Sequence, residues 1–241
     1  MTPKNSIKIK GNSIWISDLH LGSTGCQSDK IESFLNAIEC NNLFLNGDIV
    51  DDYVVSNTAT INENFQAIFK QLKFLQDNGT KLTILKGNHD NYEKLKFIFP
   101  NISILDEVKY KTISNKLYLV FHGDKCDASI KLKTNFIAKL STTIYERLLS
   151  LRKSTKKKHF SRNIKVLTKK AIAFVFQNEK KLINYLKKSN VDGVICGHSH
   201  QPIIKQLNNK DYLNSGDWID NCTYIIETRE GEFKLEKWLV S

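Results

Sequence analysis

Five short stretches of this chain place metal-binding side chains directly after an apolar run: Ser17-Asp18-Leu19-His20, Asn46-Gly47-Asp48, Gly87-Asn88-His89-Asp90, Phe121-His122-Gly123-Asp124 and Gly197-His198-Ser199-His200. An aspartate and a histidine two residues apart in a turn point to one side and can grip one cation together. Carboxylate, imidazole and amide donors suit a borderline to hard divalent ion such as Mn2+, Fe2+ or Zn2+, and the absence of thiolates argues against structural zinc. Asp48 follows the run Leu43-Phe44-Leu45, and its two carboxylate oxygens make it the natural bridge between two ions. Two ions about 3.5–4 Å apart can clamp a phosphoryl group and hold a bridging hydroxide of lowered pKa for in-line attack. Any one of these histidines alone reads as an ordinary core or surface residue. Five sites in order carry the argument.

The elements that must position these residues follow an α/β pattern. Ser13-Ile14-Trp15-Ile16-Ser17 reads as the first strand. Ile31, Phe34, Leu35 and Ile38 recur at helical spacing ahead of the strand Leu43–Leu45. Phe65, Ile68, Phe69, Leu72 and Leu75 mark a second helix closed by Asn78-Gly79, and Lys81–Leu85 is the third strand. This alternation predicts right-handed crossovers and a parallel sheet, with ligands at the C-terminal ends of strands, where open α/β sheets place their sites. After Pro100 no long helix intervenes between Ile102–Leu105, Val108–Tyr110 and Lys116–Phe121, which predicts a second sheet or an antiparallel margin. From Ala128 to Lys188 the chain reads as helical, with apolar stripes at Phe136, Leu140, Ile144 and Leu148 and at Ile164, Leu167, Ala171, Phe174 and Leu182. Val191–Cys196 returns to strand. Ile203–Gln206, Tyr212-Leu213, Tyr224–Ile226 and Phe233–Leu235 close the chain as short strands. No repeat or low-complexity linker interrupts it, so residues 1–241 read as one domain with a helical insertion over 125–188.

A chain of 241 residues can bury one sizeable core, and 41% hydrophobic with 25% charged residues describes a globular protein. The net charge of +11 is uneven. Lys125 to Lys188 carries 18 Lys and Arg against Asp127, Glu146 and Glu179, a surplus of 15 that leaves the remainder at −4. Such asymmetry points to an anionic partner, whether a phosphate-rich substrate, an acidic lipid surface or nucleic acid, set against the plain reading of a solvated helical face. No apolar run reaches membrane-spanning length, and Met1–Lys10 has no apolar core of an export signal, so a cytoplasmic location is expected. Five cysteines without CxxC spacing fit reduced thiols rather than a zinc knuckle. P-loop, dinucleotide and HExxH motifs are absent.

Asp18-x-His20, Gly47-Asp48-x-x-Asp51, Gly87-Asn88-His89-Asp90, His122 and Gly197-His198-x-His200 together resemble the complete signature of the calcineurin-like metallophosphoesterase superfamily. The resemblance implies an α/β fold of two facing mixed sheets flanked by helices. It implies that Asp18, His20, Asp48 and His200 hold one ion, and that Asp48, Asn88, His122 and His198 hold the other. His89 would be the non-ligand histidine that protonates or stabilises the leaving oxygen, with Asp90 or Asp51 orienting the site. Leu21-Gly22-Ser23, Phe121-His122-Gly123-Asp124, the long helical insertion and Tyr212-Leu213-Asn214-Ser215-Gly216-Asp217-Trp218 are similar, more closely, to the UDP-2,3-diacylglucosamine pyrophosphatase group. That group cleaves a lipid-linked nucleotide diphosphate to UMP and a lipid monophosphate at the inner membrane face. Its insertion forms a helical cap over the acyl chains. By that resemblance two divalent ions, foremost Mn2+, are the cofactors, and peripheral contact with an anionic membrane is expected. Arg152, Lys156, Arg162, Lys165 and Lys169 are the cap residues expected to meet substrate. The likeness departs at His89, where the strict pyrophosphatase carries arginine; histidine suits acid catalysis near neutral pH, arginine bidentate phosphate binding. The rival readings are a generic phosphodiesterase or nuclease of the same superfamily, and a scaffold that has lost activity.

Overall fold

The computed structural model describes residues 8–51, 63–126 and 181–239. The chain divides into two compact units, Met1–Asp124 with Leu186–Ser241, and Lys125–Tyr185. The expected cap helices, apart from the helical residues 181–189, and the five expected substrate contacts Arg152, Lys156, Arg162, Lys165 and Lys169 lie outside the described residues.

The first unit opens with β1 (Ile9–Ile16), α1 (Ser28–Ala37), β2 (Ile38–Asn46), α2 (Glu63–Asp77) and β3 (Lys81–Leu85), then α3 (Tyr92–Ile98) and β4 (Ser103–Leu105). β1, β2, β3 and β4 pair in parallel in that order, with helical crossovers between them, as the alternation predicts. Antiparallel β10 (Thr223–Glu227) and β11 (Phe233–Lys237) extend the sheet on the β1 side, for the order β11-β10-β1-β2-β3-β4. The second sheet has the order β5-β6-β7-β9-β8, from β5 (Glu107–Lys111), β6 (Leu117–Phe121), β7 (Gly193–Cys196), β8 (Ile203–Leu207) and β9 (Lys210–Asn214). Here β6, β7 and β9 are parallel, while β5 and β8 are antiparallel margins.

Side-chain alternation explains why the two sheets face each other. On β1, Ile14 and Ile16 pack into one buried cluster with Ile31, Phe34 and Leu35 of α1 and Ile68 and Leu72 of α2. Trp15, between them, belongs to a different buried cluster, with Phe44 of β2, Tyr118 and Val120 of β6, Ile195 of β7 and Leu213 of β9. Trp15 stacks on Phe44 at 5.3 Å and meets Tyr110 of β5 edge-on at 5.1 Å. Each fully buried side chain of this kind contributes roughly 1.5–3 kcal/mol. Strands buried on both faces therefore read as continuous apolar runs.

Two boundaries differ from the periodicity. Ile38 fits the helical stripe of α1, yet it begins β2 and pairs with Ile9. A position buried in either state cannot tell a last helical turn from a first strand residue. The second difference is α3, which the spacing did not announce because Leu95 is the buried residue of its seven. Its signal was the N-cap: the Asn91 side chain accepts from Lys94 N at 3.1 Å.

Candidate metal centre

The parallel strands of both sheets deliver the expected ligands. Past the end of β1 and β2 the ladder continues into the loops: Asp18 N donates to Gly47 O, His20 N to Asp48 O and Leu21 N to Ile49 O, each at 2.9 Å. Across the second sheet, Gly197 N donates to His122 O at 2.8 Å. Asp18, His20, Asp48, His198 and His200 all adopt left-handed backbone, with φ of 55, 46, 52, 66 and 55°. That conformation is uncommon outside glycine, and such strain gathers at functional sites. Glycines let the ligand loops close in. A Cβ on Gly87 would lie 2.2 Å from Asp48 Oδ1, and one on Gly47, at φ 89°, would lie 2.3 Å from His122 Nδ1.

Two ligand groups result, Asp18 with His20 and His200, and Asp48 with His122 and His198; within each, one donor atom per residue lies within 4.8 Å of the others. His200 Nε2 is 3.2 Å from Asp18 Oδ1, and His122 Nε2 is 3.3 Å from Asp48 Oδ2. His20 Nε2, at 3.8 Å from the same Asp48 oxygen, joins the two groups through that carboxylate. The remaining atoms of these side chains are held from behind. His122 Nδ1 lies 3.0 Å from Asn46 O, His89 N donates to Asp48 Oδ1 at 2.8 Å, and His198 N donates to Asp18 Oδ2 at 3.0 Å. A backbone carbonyl behind Nδ1 keeps the proton there and leaves Nε2 as a donor to metal. Asn88 sits in the bend after β3 and is exposed.

Whether these residues fit divalent cations is answered by what they leave unsatisfied. Asp18 Oδ1, His20 Nε2 and His122 Nε2 are buried and, beyond their mutual imidazole–carboxylate contacts of 3.2–3.8 Å, have no hydrogen-bond partner among the described residues; buried Trp15 Nε1 and Trp218 Nε1 share that condition, but these three lie among carboxylates and imidazoles. Buried polar atoms are rarely left so. Carboxylates and imidazoles in this arrangement are the donor set of a borderline divalent ion. The fit is good.

A third group joins His20, Asp51 and His89. Asp51 lies between the two rings, with its oxygens 3.5 Å from His20 Nδ1 and 3.6 Å from His89 Nδ1. Of the two carboxylates expected to orient the site, Asp51 is the one that faces His89. Asp90 turns to backbone instead, accepting from Ile49 N, Val50 N and Gly87 N at 2.9 Å each. It pins the Asp48 loop to the His89 loop.

The protein groups set strong local electrostatics. Burial would raise the Asp48 carboxyl, but His122, with help from His89 and His20, holds it well below the usual carboxylate range. Asp18 and Asp51 are lowered likewise against burial, chiefly by His200 and by His20 with His89. Burial works against the charged imidazole of His122, yet Asp48 and Asp18 push it up to about 10. His200 is pushed up to about 9 by Asp18, Asp217 and Asp48. His89 rises too, burial being outweighed by Asp51 and Asp48. Burial and the Asp48 charge lift Asp90 to about 6.

The stretch Asn214–Trp218, read from the sequence only as part of a family likeness and given no role there, frames the ligands from the end of β9. Ser215 Oγ and Ser17 Oγ are 2.7 Å apart, Asn214 Nδ2 donates to Gly197 O at 2.6 Å, and Trp218 N donates to Asp18 O at 3.1 Å. A polar cluster directly after an apolar strand, as at the five ligand sites, was the available signal.

The family model for calcineurin-like phosphoesterases matches residues 13–202. The chain is 24% identical to a UDP-2,3-diacylglucosamine hydrolase of Vibrio cholerae serotype O1, over 91% of this chain and 96% of that protein. It is 26% identical to the Proteus mirabilis protein of the same name, over 79% and 82%, and 24% identical to that of Haemophilus influenzae, over 94% and 99%. Among solved structures, an archaeal phosphodiesterase shares the fold with a TM-score of 0.50 at 15% identity, over 93% of this chain and 98% of that one.

Proposed function

This chain belongs to the calcineurin-like phosphoesterase family, and from that premise we propose that it hydrolyses the diphosphate of UDP-2,3-diacylglucosamine or a similar lipid-linked nucleotide to UMP and a lipid monophosphate. Membership makes it a metal-dependent hydrolase. The observation that carries the chemistry is the meeting of Asp18, His20 and His200 with Asp48, His122 and His198 at the mouths of β1, β2, β6 and β7. The choice of substrate is supported by relatives of that name matching over nearly the whole length of both chains.

In this reading Asp18, His20, Asp48 and His200 hold one ion, and Asp48, Asn88, His122 and His198 the other, with Mn2+ as the metal. When bound, the two ions supply a water of lowered pKa and neutralise phosphoryl charge. The chain's own work is positioning and proton transfer. Asp51 keeps His89 aligned, and its negative charge favours the protonated imidazole that gives a proton to the oxygen leaving phosphorus. Asp90 fixes the distance between the Asp48 and His89 loops. The basic segment 125–188, carrying Arg152, Lys156, Arg162, Lys165 and Lys169, supplies cations for the phosphates and for anionic lipid headgroups. We place the protein on the cytoplasmic face of the membrane as a peripheral enzyme; no helix among the described residues is long and apolar enough to cross one.

The test is a Mn2+-supplemented comparison of UDP-2,3-diacylglucosamine, bis(p-nitrophenyl) phosphate and single-stranded DNA. The proposal expects UMP release with a kcat/KM on the order of 100-fold or more above the other two, about 2.7 kcal/mol of transition-state preference. Comparable rates on the model diester or DNA would favour the generic phosphodiesterase or nuclease.

A further inference from the structure

His200 has a second carboxylate behind it. Its Nε2 faces Asp18, while its Nδ1 lies 3.8 Å from Oδ2 of Asp217, a residue only 1% exposed. Asp217 is itself locked. Its Oδ1 accepts from Ile219 N at 2.8 Å, Asp220 N at 2.6 Å and Asn221 N at 3.2 Å, and the Asn221 amide donates to Oδ2. The same amide donates to His200 O at 3.0 Å, and the neighbouring Trp218 N reaches Asp18 O at 3.1 Å. One turn therefore grips the backbone of both Asp18 and His200 and sets a fixed negative charge behind the imidazole.

An imidazole presents to a metal whichever nitrogen lacks the proton, and the group facing the other nitrogen decides which that is. At 3.8 Å the Asp217–His200 pair is an electrostatic contact rather than a hydrogen bond. Ligation through Nε2 leaves Nδ1 as an N–H, and Asp217 is the carboxylate turned toward it. We infer that Asp217 is a positioning residue for metal binding: it keeps the His200 proton on Nδ1 and turns the Nε2 lone pair toward the ion shared with Asp18. The inference rests on the reading of the centre as a two-ion site.

The competing explanation is that Asp217 only caps its turn. Asp217→Asn separates the two, because the amide oxygen still accepts the three backbone N–H groups while the charge facing Nδ1 is gone; of the turn's own bonds it gives up the one from the Asn221 amide. Mn2+ binding is measured by calorimetric titration, and melting of the metal-stripped protein is measured beside it. We expect the Asn variant to melt only slightly below the wild type, through loss of the one bond from the Asn221 amide. One of its two Mn2+ affinities should fall about 10–100-fold, the usual effect of removing a group that orients a ligand. In a His200→Ala background the same substitution should change affinity by less than about 3-fold, since a positioning residue has nothing left to position. Equal losses in both backgrounds would mean a general field effect and would overturn the inference; so would wild-type affinities in the Asn variant. Asp217→Ser, which also keeps an oxygen for the turn, serves for the same cycle should the Asn variant not fold. A wild type that binds no second Mn2+ would overturn the two-ion reading and the inference together, whereas a normal wild type with an unaffected variant sinks the inference alone.

Discussion

Strand β1 passes two buried polar clusters, and they differ in one respect. Midway along it, Glu227 accepts from Asn12 Nδ2 at 2.7 Å, from Ile113 N at 2.9 Å and from the Tyr110 hydroxyl. Ser13 Oγ completes that cluster, 2.7 Å from the Tyr110 oxygen and accepting from Asn42 Nδ2 at 2.9 Å. About 16 Å further on, by strand rise, lies the second cluster, where Asp18 Oδ1, His20 Nε2 and His122 Nε2 meet only one another's groups, at 3.2–3.8 Å, and have no other partner among the described residues. The first cluster ties β1, β2, β5 and β10 together with its needs met from within. The second is built on left-handed backbone and leaves its donors pointing at one another. A polar core that satisfies itself is structural; one that holds itself open is prepared for something else.

The comparison predicts which substitutions cost activity and which cost stability. The largest effect belongs to Asp48→Ala, which removes the carboxylate that faces both His122 and His20: elemental analysis should find neither ion, and turnover should fall to background. Retention of two ions would contradict the bridging role. His89→Ala should keep both ions and lower kcat by on the order of 10²–10⁴, the range for losing a positioned acid. Unchanged hydrolysis of a model diester would remove His89 from the reaction. At the other cluster, Glu227→Ala takes the acceptor from Ile113 N and one acceptor each from the Tyr110 hydroxyl and the Asn12 amide, which keep Ser13 Oγ and the Tyr110 oxygen. Denaturant unfolding should show a loss of roughly 2–4 kcal/mol, with metal content unchanged in the folded fraction. A variant that also lost metal would show that the two clusters are not independent.

A last prediction concerns pH dependence. His122 and His200 titrate near 10 and 9 in the fold but near 6.5 when unfolded. A histidine with a raised folded pKa contributes stability that is complete below the unfolded value and is lost as pH climbs through the folded one. The metal-stripped protein should therefore melt lower at pH 9 than at pH 6.5. Metal requires the neutral imidazoles, so Mn2+ uptake should release protons and tighten over the same interval. Scanning fluorimetry of stripped and loaded protein checks both signs.

The candidate ligands were legible because Asp18, His20, Asp48, His122, His198 and His200 each follow an apolar run, and a parallel strand buried on both faces delivers side chains to a site at its end. The α/β class was legible for the same reason. The cross-sheet geometry was another matter. That Trp15 faces Tyr110 while Ile14 faces Phe34 follows from alternation only once the strands are known to be strands, and β1 and β2 both begin earlier than their apolar cores suggest. The polar Asn41-Asn42 hid that part of β2, although Asn42 is spent on Ser13. Asp51 and Asp90 looked equivalent as orienting carboxylates; only the fold shows one facing two imidazoles and the other facing three backbone amides. Asp217 was invisible as a partner of His200, because 17 residues and two strands separate them.

The central claim is a pair of cations sharing one carboxylate. Anomalous diffraction from crystals grown with Mn2+ tests it most directly. The account predicts two peaks, one beside Asp18, His20 and His200 and one beside His122 and His198, both in contact with Asp48. A single peak, or two peaks of which one does not touch Asp48, would contradict it.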